Sequence, residues 1–550
     1  MSSFLDIFGF LSVILRGLIL IAQSLTLGGI GFTVLLWQPL SSRLSTESSE
    51  IGRRCRIILA NSSIAFAVFT LSTLIVNAAV LAGTLDLPWR DTLDADFARA
   101  DIAIAGAALC IGLLSCGRES RWRTAALISF AVAALAGQLS LTHAVSRPGL
   151  RWPYLLADAL HMTGTAVWIG GLPYFLLALG LSRDGADCGV IGRRYSAMSL
   201  TSVTVIIGSG MLMAFGYIGA PEAIYGTAYG VMVMTKIALL LMLLGLGGAN
   251  YLTVEKLWRD PSTSILRLKR FAEAEIGIGL TVLLAAASLT SLPPAIDLVQ
   301  DRVTWPEIVE RFSPQWPRLT SPSSDQLTIN QLQAQIAEAD ARRIPEPRAY
   351  VPGEGIILPR NAEDVAWSEY NHHWAGIFVM LIGVLALIQH SRWGRWTRHW
   401  PLLFIPLAAF LFFRADEEAW PIGQIGFFES MRDVEVAQHR IFELLIVLFA
   451  VFEWRVQTSP KKDQRATLAF PLLVAIGGAM LLAHSHAIAN IKDQLLIEMS
   501  HAPIAICGII AGWARWIELR LDGTPSRIAS RLWPAALVLV GLILLDYREA

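Results

Sequence analysis

Ten histidines occur in this 550-residue chain, and eight of them, His143, His161, His372, His373, His439, His484, His486 and His501, fall near the ends of long apolar stretches. Imidazole at such places is suited to holding a transition metal or to moving a proton. Asp158, His161, Thr165 and Trp168 follow one another at spacings of three and four, so in a helix they share one face. His161 then lies about 13 Å along the helix axis from Trp152 at 1.5 Å per residue. His143 closes the preceding apolar stretch, while Met211, Met213, Met232 and Met234 lie near the ends of two later ones. Imidazole suits copper in either oxidation state, and thioethers favour Cu(I) and leave calcium and magnesium unbound.

A second group of donors lies toward the C-terminus, in YNHHW, EVAQHRIFE, LLAHSHA and EMSH. Glu435, His439 and Glu443 share a helical face by four-residue spacing. His372 and His373 diverge by about 100°, so at most one of each adjacent pair serves a given site. The RADEEAW and GFFESMRD segments offer carboxylates and Met431 to the same region. Histidines on facing helices also suit bis-imidazole ligation of a b-type haem. On residue types alone, a copper ion and haem b both stand as cofactors.

The elements that must position these donors are membrane helices. The chain is 54% hydrophobic and 16% charged, with a mean hydropathy of +0.53, more apolar than one soluble core uses. Stretches long enough to cross roughly 30 Å of hydrocarbon centre on fourteen regions: 8–37, 55–83, 98–116, 121–144, 153–182, 194–218, 229–254, 270–292, 373–391, 399–413, 437–456, 467–487, 499–518 and 530–547. The tenth is short and broken by Pro401 and Pro406. The expected fold is an all-α polytopic membrane protein of eight plus six spans with an outer loop of about 75 residues between them. This divides the chain into 1–295, a cap or linker over 296–371, and a six-helix module over 372–550. Alternate loops carry an excess of Arg and Lys, among them GRESRWR and EKLWRDPSTSILRLKR, and should face the cytoplasm. That alternation puts both termini and the eight histidines on the outer side, with His390 and His399 inside. SRPGLRW is the exception, a basic loop that must lie outside.

Other classes are disfavoured. Basic and acidic residues balance at 44 each, so no nucleic-acid partner is expected. Five cysteines, Cys55, Cys110, Cys116, Cys188 and Cys507, form no CxxC pair, and three of them lie near inner helix ends where thiolates could accept Cu(I). The opening MSSFLDIFGF reads as the start of the first span and not as a cleaved signal. Arg16, alone among basic residues in its span, calls for an acidic partner such as Asp158 or Asp101. With no Walker loop, dinucleotide fingerprint or HExxH in the sequence, neither ATP-driven pumping nor a classical enzyme is expected.

Several ordered segments of the first half carry a resemblance: THAV at His143, DALHMTGTAVWIGGLPYF from Asp158, RRYSAMSLTSVTVIIGSGMLM from Arg193, IYGTAYGVMVMTKIALLLMLLGLGGANY from Ile224, and FAEAEIGIGLTVLLAAASLTSLPPA from Phe271. Together they resemble the bacterial copper-resistance D (CopD) family over about residues 8–295. Its His, Trp and Gly-Gly recur as His161, Trp168 and Gly170 with Gly171, and Lys236, Asn250 and Glu275 fall on characteristic positions. His143 departs from the family's Gly-His context, since Thr142 precedes it. The resemblance implies copper as the species transported or sensed, with the glycines allowing close helix approach. Three functions follow as expectations: copper transport across the inner membrane from outer His and Met sites, a b-haem electron carrier, or a factor delivering copper to a periplasmic copper-binding partner. Metal ligands are expected among His143, His161, Met211, Met213, His372, His373, His439, His484, His486 and His501, supported by Asp158, Glu435 and Glu443.

Overall fold

The computed structural model describes residues 2–44, 48–85, 88–117, 119–142, 144, 151–299, 302–323, 326–327, 361–389, 394, 396–416, 419–423, 425–431, 434–459, 466–482 and 491–549. Among them the secondary structure is helical, with a single isolated bridge between Ala419 and Ile425. Among the described residues eleven helices are long and apolar enough to cross a membrane: α1 Leu11–Leu40, α2 Ser49–Gly83, α3 Asp96–Ser115, α4 Arg121–Ser140, α5 Arg151–Leu181, α6 Gly185–Ile218, α7 Ala228–Arg259, α8 Leu266–Asp297, α9 Ala362–Gln389, α13 Leu495–Arg520 and α14 Thr524–Leu545. All eight spans expected in the first half are among them.

The three remaining expected spans take other forms. Around Pro401 the chain runs as a 3-10 turn, Trp396–Leu403, before the short α10, Phe404–Arg414, because proline removes a helical donor and crowds the preceding turn. The helix α11, Val434–Thr458, is long enough but carries His439, Arg440, Glu443, Glu453 and Arg455. The apolar α12, Ala469–Leu481, has 13 residues.

Contacts divide the chain into two compact units, one of Leu11–Ala220 with Lys236–Ile296, the other of Met1–Phe10, Pro221–Thr235 and Asp297–Ala550. In the first, polar backbone is satisfied within helices while large apolar side chains such as Leu113, Phe215 and Leu241 stand exposed, as a lipid-facing surface requires. Small residues bring helices together. A Cβ on Gly170 would run into the Ser24 carbonyl, and one on Gly28 into the Ala166 carbonyl, so α1 and α5 meet backbone to backbone. At this crossing α5 widens into a π-helical turn over Ala166–Gly170. Arginines close helix C-termini: Arg123 donates to the Leu114 and Ser115 carbonyls at 2.6 and 3.2 Å, and Arg194 to Leu35 at 2.8 Å. Arg16 donates to Gln138 Oε1 at 2.9 Å and has Asp101 as its acidic neighbour. Asp158 is instead the neighbour of Lys236.

The second unit packs Trp400, Phe404, Phe449, Phe470 and Trp533 into one aromatic core. Glycines again set the spacing, since a Cβ on Gly541 would press on the Met380 backbone at 2.5 Å. One end of the unit holds a buried polar chain. Trp400 Nε1 donates to Gln389 Oε1 at 2.8 Å, Gln389 to Gln457 at 2.6 Å and Gln457 to Glu453 at 2.7 Å. Arg515 then bridges Glu453 and Glu518 at 2.5 and 2.6 Å. The opposite end gathers the starts of α9, α11 and α13 and the end of α14. There the 305–311 helix, WPEIVER, rests on the unit through Ile308 against Leu495.

Candidate functional site

In the first unit the site is built on α5 and α6, which run antiparallel. Tyr154 lies opposite Gly216, His161 opposite Gly210, and Gly164 opposite Ile206. Tyr154 and His161 are seven residues apart and so lie on one face of α5. His161 Nδ1 is 3.2 Å from both the Ile206 carbonyl and Ser209 Oγ. Ser209 Oγ itself donates to Val205 at 2.7 Å, so the ring must supply the proton in its contact with the Ile206 carbonyl. The neutral imidazole is thereby fixed as Nδ1–H with its lone pair on Nε2. Met213 follows Ser209 by one turn and lies on the same side of α6, whereas Met211 is 55% exposed on another face. Lys236 is in electrostatic reach of both His161 and Asp158. The site therefore pairs one imidazole with a Lys–Asp couple, and Asp158 serves to balance Lys236.

In the second unit three rings converge. His372 on α9 stacks on Tyr547 at 3.8 Å, His501 on α13 meets Tyr547 edge-on at 5.9 Å, and the two imidazole centroids are 6.1 Å apart and nearly perpendicular. His372 Nδ1 donates to the Ser368 carbonyl at 2.8 Å, and His501 Nδ1 to the Ile497 carbonyl at 2.9 Å, each four residues back. Both rings thus carry a proton on Nδ1. Beside them opens a cavity of about 220 Å³ lined in part by Arg311, Ser500, Pro503, Tyr547 and Arg548.

His373 is different. Its Nδ1 accepts from the Arg318 amide at 2.7 Å and its Nε2 donates to the Tyr547 carbonyl at 2.8 Å. Both ring nitrogens are engaged by backbone, so this buried histidine ties the 318 segment and the C-terminal residues to α9 and has no lone pair to give a metal.

On α11, His439 Nδ1 lies 2.6 Å from Asp416 Oδ1 of the RADEEAW segment. A carboxylate on one ring nitrogen orients the ring and raises the basicity of the other, which is how metal-binding histidines are commonly held. Glu443 has another duty: it accepts from Arg440 Nη1 at 3.1 and 3.2 Å, and Arg440 also donates to the Phe412 carbonyl at 2.9 Å. Asp416 and Arg440 are functional neighbours that helical spacing alone missed, since Asp416 reaches α11 from a separate segment.

His143, His484 and His486 lie outside the described residues, as does the side chain of Glu435. Among the described residues no three His, Cys, Asp or Glu side chains are grouped to hold a metal ion. The five cysteines are free thiols, with Cys55, Cys188 and Cys507 buried and Cys116 exposed. What the structure brings together among the described residues are imidazoles singly or in twos: His161 against Ser209, His372 with His501, and His439 on Asp416.

Comparison with known proteins adds the family. Residues 189–289, which cover α6 to α8, match the family model described as Copper resistance protein D. The Copper transport protein CutJ of Bacillus subtilis (strain 168) is 34% identical over 142 residues, which are 25% of this chain and 25% of that protein. The chain thus matches about a quarter of that relative's length. No solved structure matches. The matched segment contains Ile206 and Ser209, the residues that lie against His161 Nδ1. With its many apolar helices the chain is a multi-pass membrane protein, and over residues 189–289 it is similar to the Copper resistance protein D family.

Proposed function

We propose that the chain carries copper ions across the plasma membrane, capturing them at its outer face on histidines that present Nε2 and passing them inward. The observation that carries this reading is a shared disposition. His161, His372, His439 and His501 each place Nδ1 against an oxygen of the protein, three on backbone carbonyls and one on a carboxylate. Imidazole held through Nδ1 in this way is the form that binds a metal through Nε2. Support for copper as the cargo comes from the family match over α6 to α8 and from a relative whose name is that of a copper transport protein. Sites of one or two imidazoles suit stepwise transfer, because one very tight site would trap the ion. The energy for movement is not a nucleotide in this reading, and the outward face is the one that positive-inside loop charge assigns.

The test is copper accumulation in cells that make the full-length protein. His161→Ala should abolish most of the copper difference between cells with and without the protein, while membrane insertion is unchanged. Copper levels identical in wild type and variant would discard His161 as part of the path. Levels identical with and without the wild-type protein would discard transport.

A further inference from the structure

Glu275 on α8 is 2% exposed, within a segment that spans the membrane, and among the described residues it has no cationic partner. Its neighbours are neutral. Asn250 Nδ2 on α7 donates to Oε1, and the Trp168 side chain on α5 donates to the same carboxyl group. Gly247 on α7 faces the carboxyl without a side chain, where a Cβ would stand 3.6 Å from Oε2. From α6 the one titratable neighbour is Tyr195, whose hydroxyl donates to the Trp168 carbonyl at 2.5 Å. Asn250 Oδ1 is buried and among the described residues has no hydrogen-bond partner.

Each part of this arrangement bears on the proton count. A buried carboxylate with no counter-charge is costly in hydrocarbon, so ionisation is opposed. Two aimed donors favour the ionised form. An arginine or lysine partner would have locked the charge, and a purely apolar pocket would have locked the acid. Asparagine does neither, since its two faces are complementary to the two states. Its amide nitrogen donates to a carboxylate, and after a half-turn its carbonyl accepts from a carboxylic O–H. The unpartnered Oδ1 is the acceptor that the protonated state would use.

We infer that Glu275, with Asn250 as its switching partner, is a proton-binding site within the membrane, and that the proton is exchanged during the transport cycle. The exchange rests on the transport reading above, whereas the binding site does not. The step is a simple protonation: a proton from the aqueous phase adds to a Glu275 carboxylate oxygen, and the Asn250 amide turns to accept from the new O–H. A proton bound there and released on the other side would supply the driving force that a carrier lacking a nucleotide site needs.

Infrared difference spectroscopy of the full-length, copper-free protein in lipid vesicles decides the site. On acidification a carboxylic C=O band should appear that is lost in Glu275→Gln and displaced in Glu275→Asp. In Asn250→Leu its midpoint should move by on the order of one pH unit, since one of two hydrogen bonds to the group is gone. A spectrum in which neither Glu275 variant alters any carboxyl band, over the pH range where the protein stays folded, overturns the proposal. Loss of the band on adding sodium at fixed pH also overturns it, in favour of a monovalent metal cation. Copper uptake into the same vesicles under a pH gradient tests the exchange: Glu275→Gln should lose gradient-driven uptake and keep equilibrium copper binding. Uptake insensitive to both gradient and variant overturns exchange. Failure of wild-type uptake altogether counts against the transport reading and leaves the infrared result to decide the site.

Discussion

Replacing His373 by Ala and replacing His501 by Ala should separate two kinds of histidine that look alike in the sequence. His373 is buried with both nitrogens hydrogen-bonded to backbone, so its loss strands the Arg318 amide and the Tyr547 carbonyl. The expected cost is about 1–3 kcal/mol per stranded group, read as a lower thermal midpoint with copper binding retained. His501→Ala should instead lower copper binding and leave the midpoint nearly unchanged. The reverse pattern would contradict the assignment of roles. At Asp416, exchange for Asn keeps the shape and removes the charge behind His439, and should weaken copper binding at that ring about 10–100-fold in an affinity titration. Unaltered affinity would mean that His439 is not a ligand. The sequence exposed these residues unevenly. His161 with Trp168 and the following glycines was legible from helical spacing and from resemblance, but tautomers were not, because each depends on an oxygen supplied by α6, by the same helix four residues back, or by a separate segment.

At the scale of elements, the crossing of α1 and α5 depends on Gly28 and Gly170 meeting the opposing backbone. Gly170→Val should separate the helices and displace His161's helix, lowering stability by about 1–3 kcal/mol through overpacking. Thermal unfolding and copper binding should both suffer, and an unaffected midpoint would show that the close approach is dispensable. The 305–311 helix offers a pH test. The Glu307 carboxylate accepts from the Thr304 amide and hydroxyl at 2.6 and 2.7 Å and pairs with Lys492, which pulls it from an ordinary 4.5 to about 2. A group depressed in this way stabilises the folded form above pH 4.5 and loses that contribution as pH falls toward 2. Amide exchange across 305–311 should therefore speed up, relative to a Glu307→Gln control, only within that acid window. Hydropathy revealed α1 to α9, α13 and α14 because each keeps a long apolar run with few charges. It was less informative for α10 to α12, where Pro401 and Pro406 break the run and α11 trades apolar positions for buried ion pairs that only packing can neutralise. The π-helical turn at Ala166–Gly170 left no mark in periodicity, since it is set by the neighbouring backbone.

For the whole molecule, loop charge predicts a direction in the membrane, and Cys116 offers a probe of it. This thiol is exposed at the end of α3, next to the basic GRESRWR loop. A membrane-impermeant maleimide should modify it in inside-out vesicles and not in right-side-out ones; modification from the outside would invert the topology. The inclusion of Pro221–Thr235 with the C-terminal unit was not legible in the sequence, because it follows from contacts such as Val303 with Gly226. Copper handling by histidines that offer Nε2 is the central claim, and copper bound per protein in the detergent-purified full chain tests it most directly. The account predicts that the wild type retains copper after removal of free metal and that His161→Ala and His501→Ala each retain less. Wild-type protein that holds no more copper than the His161→Ala and His501→Ala variants would contradict it.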